Sequence, residues 1–234
     1  SKDLNINQKF IKQYAKVSGL YKGYLFRFER LHASFYPSGL KPFNNKRSFS
    51  TSSERHNSNN NESTVSLNPW FLTGFADAES CFTLSIFKDS SKALGWRVRT
   101  LFTIELHEKD IALLELIRDF FGVGKIYSPR STIKQFKVTT VKDLQVILDH
   151  FNKFPLITKK RVDFELFKAA VSLISSKEHL SKEGFEKLLS IRSSLNLGLT
   201  SVLAEYFPNV QRYFTLESWD NSIQDPNWLA GFAS

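Results

Sequence analysis

From residue 67 onward the chain alternates between two spacings of apolar residues, and the points where one spacing gives way to the other mark out the elements. Asn68-Pro69 opens the first. An asparagine side chain can cap a helix, and proline costs nothing at the first helical position, where its missing N–H has no intrahelical partner. A helix is predicted from Pro69 to about Glu79. Period two follows: Phe82, Leu84 and Ile86 fall on one side, Thr83, Ser85 and Phe87 on the other, as in a strand with one face on a core. Residues 89–95 read as a turn. A second strand over 97–106 points Val98, Phe102, Ile104 and Leu106 inward, and Arg97, Arg99, Leu101, Thr103 and Glu105 outward. The helical period returns over 109–121, with Gly122 as its left-handed stop. Strands over 124–128 and 133–139 come next, then helices over 141–152, 161–176, 181–194 and 199–206. The order αββαββα predicts an α+β fold, an antiparallel sheet with its helices gathered on one face.

Residues 1–66 lack this patterning. Residues 1–50 are basic and aromatic, and residues 48–66 are dominated by Ser, Asn and Thr, a composition that buries little apolar surface and reads as a flexible linker. The acid-free, Arg/Ser-rich stretch over 46–53 reads either as the end of a mitochondrial presequence or as a plain tail. Charge is concentrated here too. Of a net +9, residues 1–50 supply ten Lys/Arg against Asp3 and Glu29, so the rest of the chain is close to neutral. A nucleic-acid surface in the body must therefore come from sorting basic residues onto one face. The lone cysteine, Cys81, excludes an internal disulfide and fits a reducing compartment. No apolar run approaches the roughly 20 residues that span a bilayer, so no membrane partner is expected. The chain contains no methionine, and reads as a fragment or a processed product.

The two ends of the patterned region repeat. Residues 68–77 laid over 225–234 share Pro, Leu, Gly, Phe and Ala at one offset, and both segments open with an Asn or Asp cap. The repeat implies two similar halves: a first over 67–207, a linker over 208–224, and the start of a second over 225–234, truncated two residues short of the position that matches Glu79. Gly74 and Ala78, four apart, share one helix face, where small side chains let a second backbone approach; Gly231 offers the same on the second helix. The first helix ends in Asp77-Ala78-Glu79. A carboxylate at that end opposes the helix dipole by about 0.3–1 kcal/mol. A divalent cation reverses the sign, and the unpaired carbonyls of the last turn are further hard oxygen ligands.

Leu72-Thr73-Gly74-Phe75-Ala76-Asp77-Ala78-Glu79-Ser80 resembles the motif that names the LAGLIDADG homing endonucleases, in the form found in fungal mitochondrial intron-encoded members. Leu229-Ala230-Gly231-Phe232 is similar to the second copy in single-chain, two-repeat members. The likeness continues through residues 106–110, 154–160, 177–180 and 195–199 and covers about 67–234. It implies the family's fold, with saddle-shaped sheets lying along the DNA major groove and paired motif helices each delivering one acid to Mg²⁺ at the scissile phosphates. Mn²⁺ or Ca²⁺ would substitute in binding. The implied activity is site-specific hydrolysis of double-stranded DNA for intron homing, by a full-length monomer in the mitochondrial matrix, organelle-encoded. Two alternatives stand beside it: a maturase that binds group I intron RNA, and a DNA-binding fragment that does not cut. With one such acid, the 234-residue chain is expected to show no specific double-strand cleavage, whereas a polypeptide continued through the second repeat should cut.

The resemblance assigns roles to the motif residues, and the strand alternation supplies the candidates on the sheet. Glu79 matches the metal-binding acid and the Ala78 carbonyl is a possible further ligand, while Asp77 is expected to be structural. Ser80 stands where the motif ends in glycine, a departure that bears on the helix exit and removes no ligand. Lys137 is the candidate to polarise the attacking water or offset developing charge, with an ordinary phosphate contact as its other reading. Sequence reading would fall to Thr83, Ser85, Phe87, Asp89, Arg97, Arg99, Thr103, Glu105, Lys125, Tyr127, Gln135, Lys137 and Thr139. Arg97 and Arg99 suit guanine, whose O6 and N7 fit a guanidinium fork. Lys92, Lys134, Lys159 and Lys160 are expected on phosphates. Cys81, His107 and His179 are expected to be structural or solvated; Cys81 has no companion at metal-ligand spacing.

Overall fold

Asn68 caps as its position predicts: its Oδ1 accepts from the backbone N–H of Trp70 at 2.8 Å and of Phe71 at 3.3 Å, and Pro69 begins the helix. The computed structural model describes residues 67–213 and 218–234; the expectations for residues 1–66 lie outside it. Its elements are α1 (Pro69–Glu79), β1 (Ser80–Lys88), β2 (Trp96–His107), α2 (Ile111–Phe121), β3 (Lys125–Arg130), β4 (Ile133–Val138), α3 (Val141–Lys153), α4 (Lys160–Ser175), α5 (Lys182–Ser194), α6 (Ser201–Tyr206) and α7 (Pro226–Phe232). The four strands form one antiparallel sheet in the order β1-β2-β4-β3, so the two hairpins meet through β2 and β4.

The period-two alternation sets which face is buried. Phe82, Leu84, Ile86, Phe102, Ile104, Leu106, Phe136 and Val138 all lie on the helix-covered side and are buried. Phe82 is the hub, with ring centroids 5.2 Å from Phe102, 5.7 Å from Phe151, 5.6 Å from Phe164 and 5.3 Å from Phe167. These rings come from the sheet, α3 and α4, so one cluster locks the sheet to both helices. A second apolar group joins β1 to α4 and α5 through Leu84, Ile86, Leu166, Phe185 and Leu188.

Several boundaries shift by a residue or two from the sequence reading, and two of the shifts have a local cause. The helix predicted over 109–121 opens with a 3₁₀ turn, Glu108–Asp110, because the Nδ1 of His107 accepts from the N–H of Lys109 at 3.2 Å and holds a tighter first turn. The strand predicted over 124–128 runs instead over Lys125–Arg130: Gly124, at φ +85°, cannot join the ladder, and a bulge lengthens the far end. Gly122 stops α2 in the left-handed conformation as expected.

The segment after α5 doubles back along that helix. Ser190 Oγ donates to the Gln211 carbonyl at 2.8 Å, and the Trp219 indole N–H reaches the Ile157 carbonyl at 3.0 Å. Asn196, left-handed at φ 51°, anchors the turn after α5 by donating from Nδ2 to the Phe82 carbonyl at 2.8 Å.

Candidate functional site

Helices α1 and α7 cross at their glycines. A Cβ built on Gly74 would lie 1.9 Å from the Trp228 carbonyl oxygen, and one on Gly231 would lie 1.9 Å from the Phe71 carbonyl oxygen. The contact is reciprocal, since the repeat's offset that carries Gly74 onto Gly231 also carries Phe71 onto Trp228. Only an absent side chain allows backbones this close. Ala78, expected on the same seam, is exposed; the contact runs alongside Phe71–Phe75, and Ala78 lies one turn beyond it.

Asp77 is structural, as expected. Its carboxylate is buried and accepts three bonds: from the Ile157 N–H at 2.9 Å, the Thr158 hydroxyl at 2.6 Å and the Trp228 indole N–H at 3.1 Å. One side chain thus fastens α1 to both the loop before α4 and the second motif helix. Thr73 donates to the Phe154 carbonyl at 3.1 Å, so its oxygen accepts from His150 Nε2, also at 3.1 Å, which puts the imidazole proton on Nε2. Burial lowers the His150 pKa to about 4, leaving the ring neutral at physiological pH.

Glu79 closes α1, half-buried, and among the described residues no hydrogen bond or ion pair engages its carboxylate. Ser80 leaves the helix in ordinary extended backbone, φ −87° and ψ 161°, with its hydroxyl on the Ala76 carbonyl at 2.6 Å. The exit therefore needs no glycine. Beside it stands Lys160, expected on a phosphate, whose ammonium donates to the Ser80 carbonyl at 2.5 Å and to the Ala78 carbonyl at 3.4 Å. Burial lowers its pKa, while the charges of Asp77, Cys81, Glu79 and Asp163 oppose that shift. The Ala78 carbonyl is thus shared, but only by the longer contact, which leaves a lone pair for another ligand. No group of three or more His, Cys, Asp or Glu side chains gathers around a common point among the described residues. One carboxylate with one carbonyl does not make a protein cage. It suits a cation that is completed by water and substrate phosphate, as Mg²⁺ commonly is.

The sheet face turned away from the helices presents transverse rows fixed by strand register. Cys81, Thr103, Lys137 and Lys125 form one; Glu105, Gln135 and Tyr127 another; Ser85 pairs with Arg99 and Phe87 with Arg97. Gln135 donates to Glu105 at 3.1 Å, and the Lys137 ammonium lies 5.2 Å from the Tyr127 ring centroid. Three of the expected contact residues lie elsewhere than on the accessible part of this face. Thr103 points outward but is buried, closed in between neighbours on both sides of the inner strand β2. Lys134 pairs with buried Leu106, on the helix side, and donates to Ser128 at 2.9 Å. Thr139 lies past the end of β4, exposed in the connection to α3. Thr83, Lys92 and Lys159 remain accessible. Alternation carried through every strand also places His107, Ile133 and Arg130 on this face, beside Leu101, which the sequence already turned outward. His107 serves as the cap described above, His179 Nδ1 lies 3.3 Å from the Leu173 carbonyl, and Cys81 is exposed beside the Thr83 hydroxyl.

Residues 72–171 match the family described as LAGLIDADG endonuclease. A probable intron-encoded endonuclease 3 of Neurospora crassa is 36% identical over 200 residues, covering 83% of this chain and 35% of its own length. That reach exceeds residues 67–234, so the likeness takes in part of the first 66 residues. The meganuclease I-CpaMI, solved bound to uncleaved DNA, is 46% identical with a TM-score of 0.70 over 72% of this chain and 58% of that one. I-SmaMI, solved on an uncleaved DNA target in the presence of calcium ions, is 38% identical with a TM-score of 0.69, over 71% and 57%. The chain thus spans about a third of the curated relative and somewhat over half of the solved chains.

Proposed function

We propose that this chain, whose residues 72–171 match the LAGLIDADG endonuclease family, serves site-specific, Mg²⁺-dependent hydrolysis of double-stranded DNA in intron homing. The observation that carries the reading is the Glu79 carboxylate, unengaged among the described residues at the end of α1, beside the Lys160 ammonium and next to a glycine seam with a second motif helix. The outward sheet face, with Arg97, Arg99, Lys125 and Lys137 among its rows, would lie along the major groove.

Glu79 would hold the ion and the Ala78 carbonyl would assist. When bound, Mg²⁺ supplies a polarised water and neutralises charge on the phosphate. Lys160 takes the role first considered for Lys137. Lys137 stands two strands away from Cys81, roughly 10 Å at ordinary strand spacing, whereas the Lys160 ammonium is bonded to the carbonyl that directly follows Glu79. From there it can stabilise negative charge developing on the phosphate. Lys137 then contacts backbone phosphate. An intron-borne organellar gene and action in the mitochondrial matrix belong to the same reading, supported by the intron-encoded name of the Neurospora crassa relative.

The test is duplex cleavage by the polypeptide continued through a second motif, compared with its Glu79→Gln variant. The expected result is Mg²⁺-dependent cutting that the variant loses while it still binds the site. Cutting undiminished by the substitution would overturn the assignment.

A further inference from the structure

We propose that Asp89 is a positioning residue for base recognition: it aims Arg97 at a guanine beneath the tip of the β1–β2 hairpin. The inference rests on the DNA-binding reading above and adds to it which base this corner of the face reads and what fixes the choice. A free arginine carries the entropy of many rotamers into an interface, and a solvated one can contact phosphate or base alike. Arg97 is not free. Its guanidinium makes an ion pair with Asp89, through Nη2 and Oδ2.

Asp89 is itself immobilised by the turn. Its Oδ1 accepts from the Ser91 N–H at 3.0 Å and from the Ser91 hydroxyl at 2.6 Å, and these two bonds, foremost, hold its pKa below the ordinary carboxylate value. Its backbone N–H donates to the Gly95 carbonyl at 2.9 Å, closing the hairpin, and Gly95 takes the left-handed conformation, φ +74°, that the turn requires. Both side chains lie on the outward face, since Asp89 follows Phe87 by two residues and Phe87 is the register partner of Arg97.

Among the described residues the Arg97 Nε is buried and meets no hydrogen-bond partner, so the guanidinium stands with its inner edge against the protein. Its outward donors remain for a ligand, and a fork of parallel N–H donors matches O6 and N7 of guanine. An acid placed there purely to bind DNA would be a poor choice, because a carboxylate repels the phosphates. Its contribution is directional: Asp89 gives up some affinity for DNA in general and confines Arg97 to one pose.

The consequence is a pair of effects that run in opposite directions. Asp89→Asn removes a negative charge from the face and frees the arginine. In a selection from a randomised duplex library with the full 234-residue chain, the unaltered protein should favour one G·C pair at one position by on the order of tenfold to a hundredfold. Asp89→Asn should cut that preference to no more than about threefold, while affinity for mixed-sequence duplex holds or rises. Ser91→Ala, a milder change that leaves both charges, should weaken the preference partway. Arg97→Gln should abolish it, and adding Asp89→Asn to that variant should change the preference no further. A purely structural role would lower affinity and preference together or leave both alone. Retention of the G·C preference in a folded Asp89→Asn protein overturns the proposal and leaves the DNA-binding reading standing. Failure of the unaltered chain to select or bind any duplex overturns both.

Discussion

Replacing Gly74 by alanine tests the helix seam, because the two contending forces have opposite signs. In a helix that faces solvent, Gly→Ala stabilises by about 1 kcal/mol, since alanine gives up less backbone freedom. Here the new methyl would sit 1.9 Å from the Trp228 carbonyl oxygen and 2.7 Å from its carbon. Ordinary contact starts at 3.4 Å, so α1 and α7 must separate by about 1.5 Å, and no flexible side chain stands in the way to yield instead. A gap of half that size already forfeits a quarter to a half of the dispersion attraction, and overpacking against backbone falls at the upper end of roughly 1–3 kcal/mol. The same movement stretches the 3.1 Å bond from the Trp228 indole to Asp77. Net of the helix-propensity gain, Gly74→Ala should destabilise the chain by about 2 kcal/mol, read as a lowered urea midpoint at unchanged slope. Exchange of the Trp228 indole proton should quicken in step. Gly231→Ala should behave alike, and the double variant should cost less than the two added together, because helices pushed apart once have room for the second methyl. A gain of about 1 kcal/mol in either single variant would refute the seam.

Three further expectations follow from the same residues. The folded pKa of His150 lies near 4, below the unfolded value of 6.5, so its contribution is fully present above pH 6.5 and is lost as pH falls toward 4. The loss totals about 3 kcal/mol, and urea titrations across that range should show it in the parent chain and much less of it in His150→Gln. Asp77→Asn should cost about 1–2 kcal/mol, since an amide can still serve most of the three donors, whereas Asp77→Ala should cost about 3–5 kcal/mol by stranding them; thermal unfolding separates the two. Lys160→Met should slow Mg²⁺-dependent cutting on the order of a hundredfold in the polypeptide with both motifs, while duplex affinity falls by less than about tenfold, a split that rate and binding assays resolve.

What the sequence made legible was chiefly local or periodic. Asn68, Pro69 and Gly122 act on their own turns, and the alternation of Phe82, Leu84 and Ile86 with Thr83, Ser85 and Phe87 leaves a two-residue period little choice of face. The internal repeat was legible for a related reason: a glycine at a matched place in two helices has few uses besides close approach. Three things were hidden. Lys160 reaches the end of α1 across some eighty residues of chain, and nothing beside it in sequence marks that destination. Lys134 shares the parity of Phe136, so a period of two turns it to the helix side, although lysine as a residue type suits a DNA surface. Asp89 and Thr103 both sit on the outward face, yet one is engaged by its own turn and its cross-strand arginine and the other is covered by its neighbours. Facing a partner and being free to touch it are separate conditions, and only the first follows from a period of two.

Everything proposed for the chemistry depends on a divalent ion meeting Glu79. The direct measurement is anomalous scattering from a crystal of the protein on its selected duplex, grown with Mn²⁺ in place of Mg²⁺. The account predicts a peak about 2.1 Å from a Glu79 carboxylate oxygen, shared with a phosphate oxygen of the DNA and with the Lys160 ammonium nearby. A peak held by other side chains, with Glu79 turned away from it, would contradict the account.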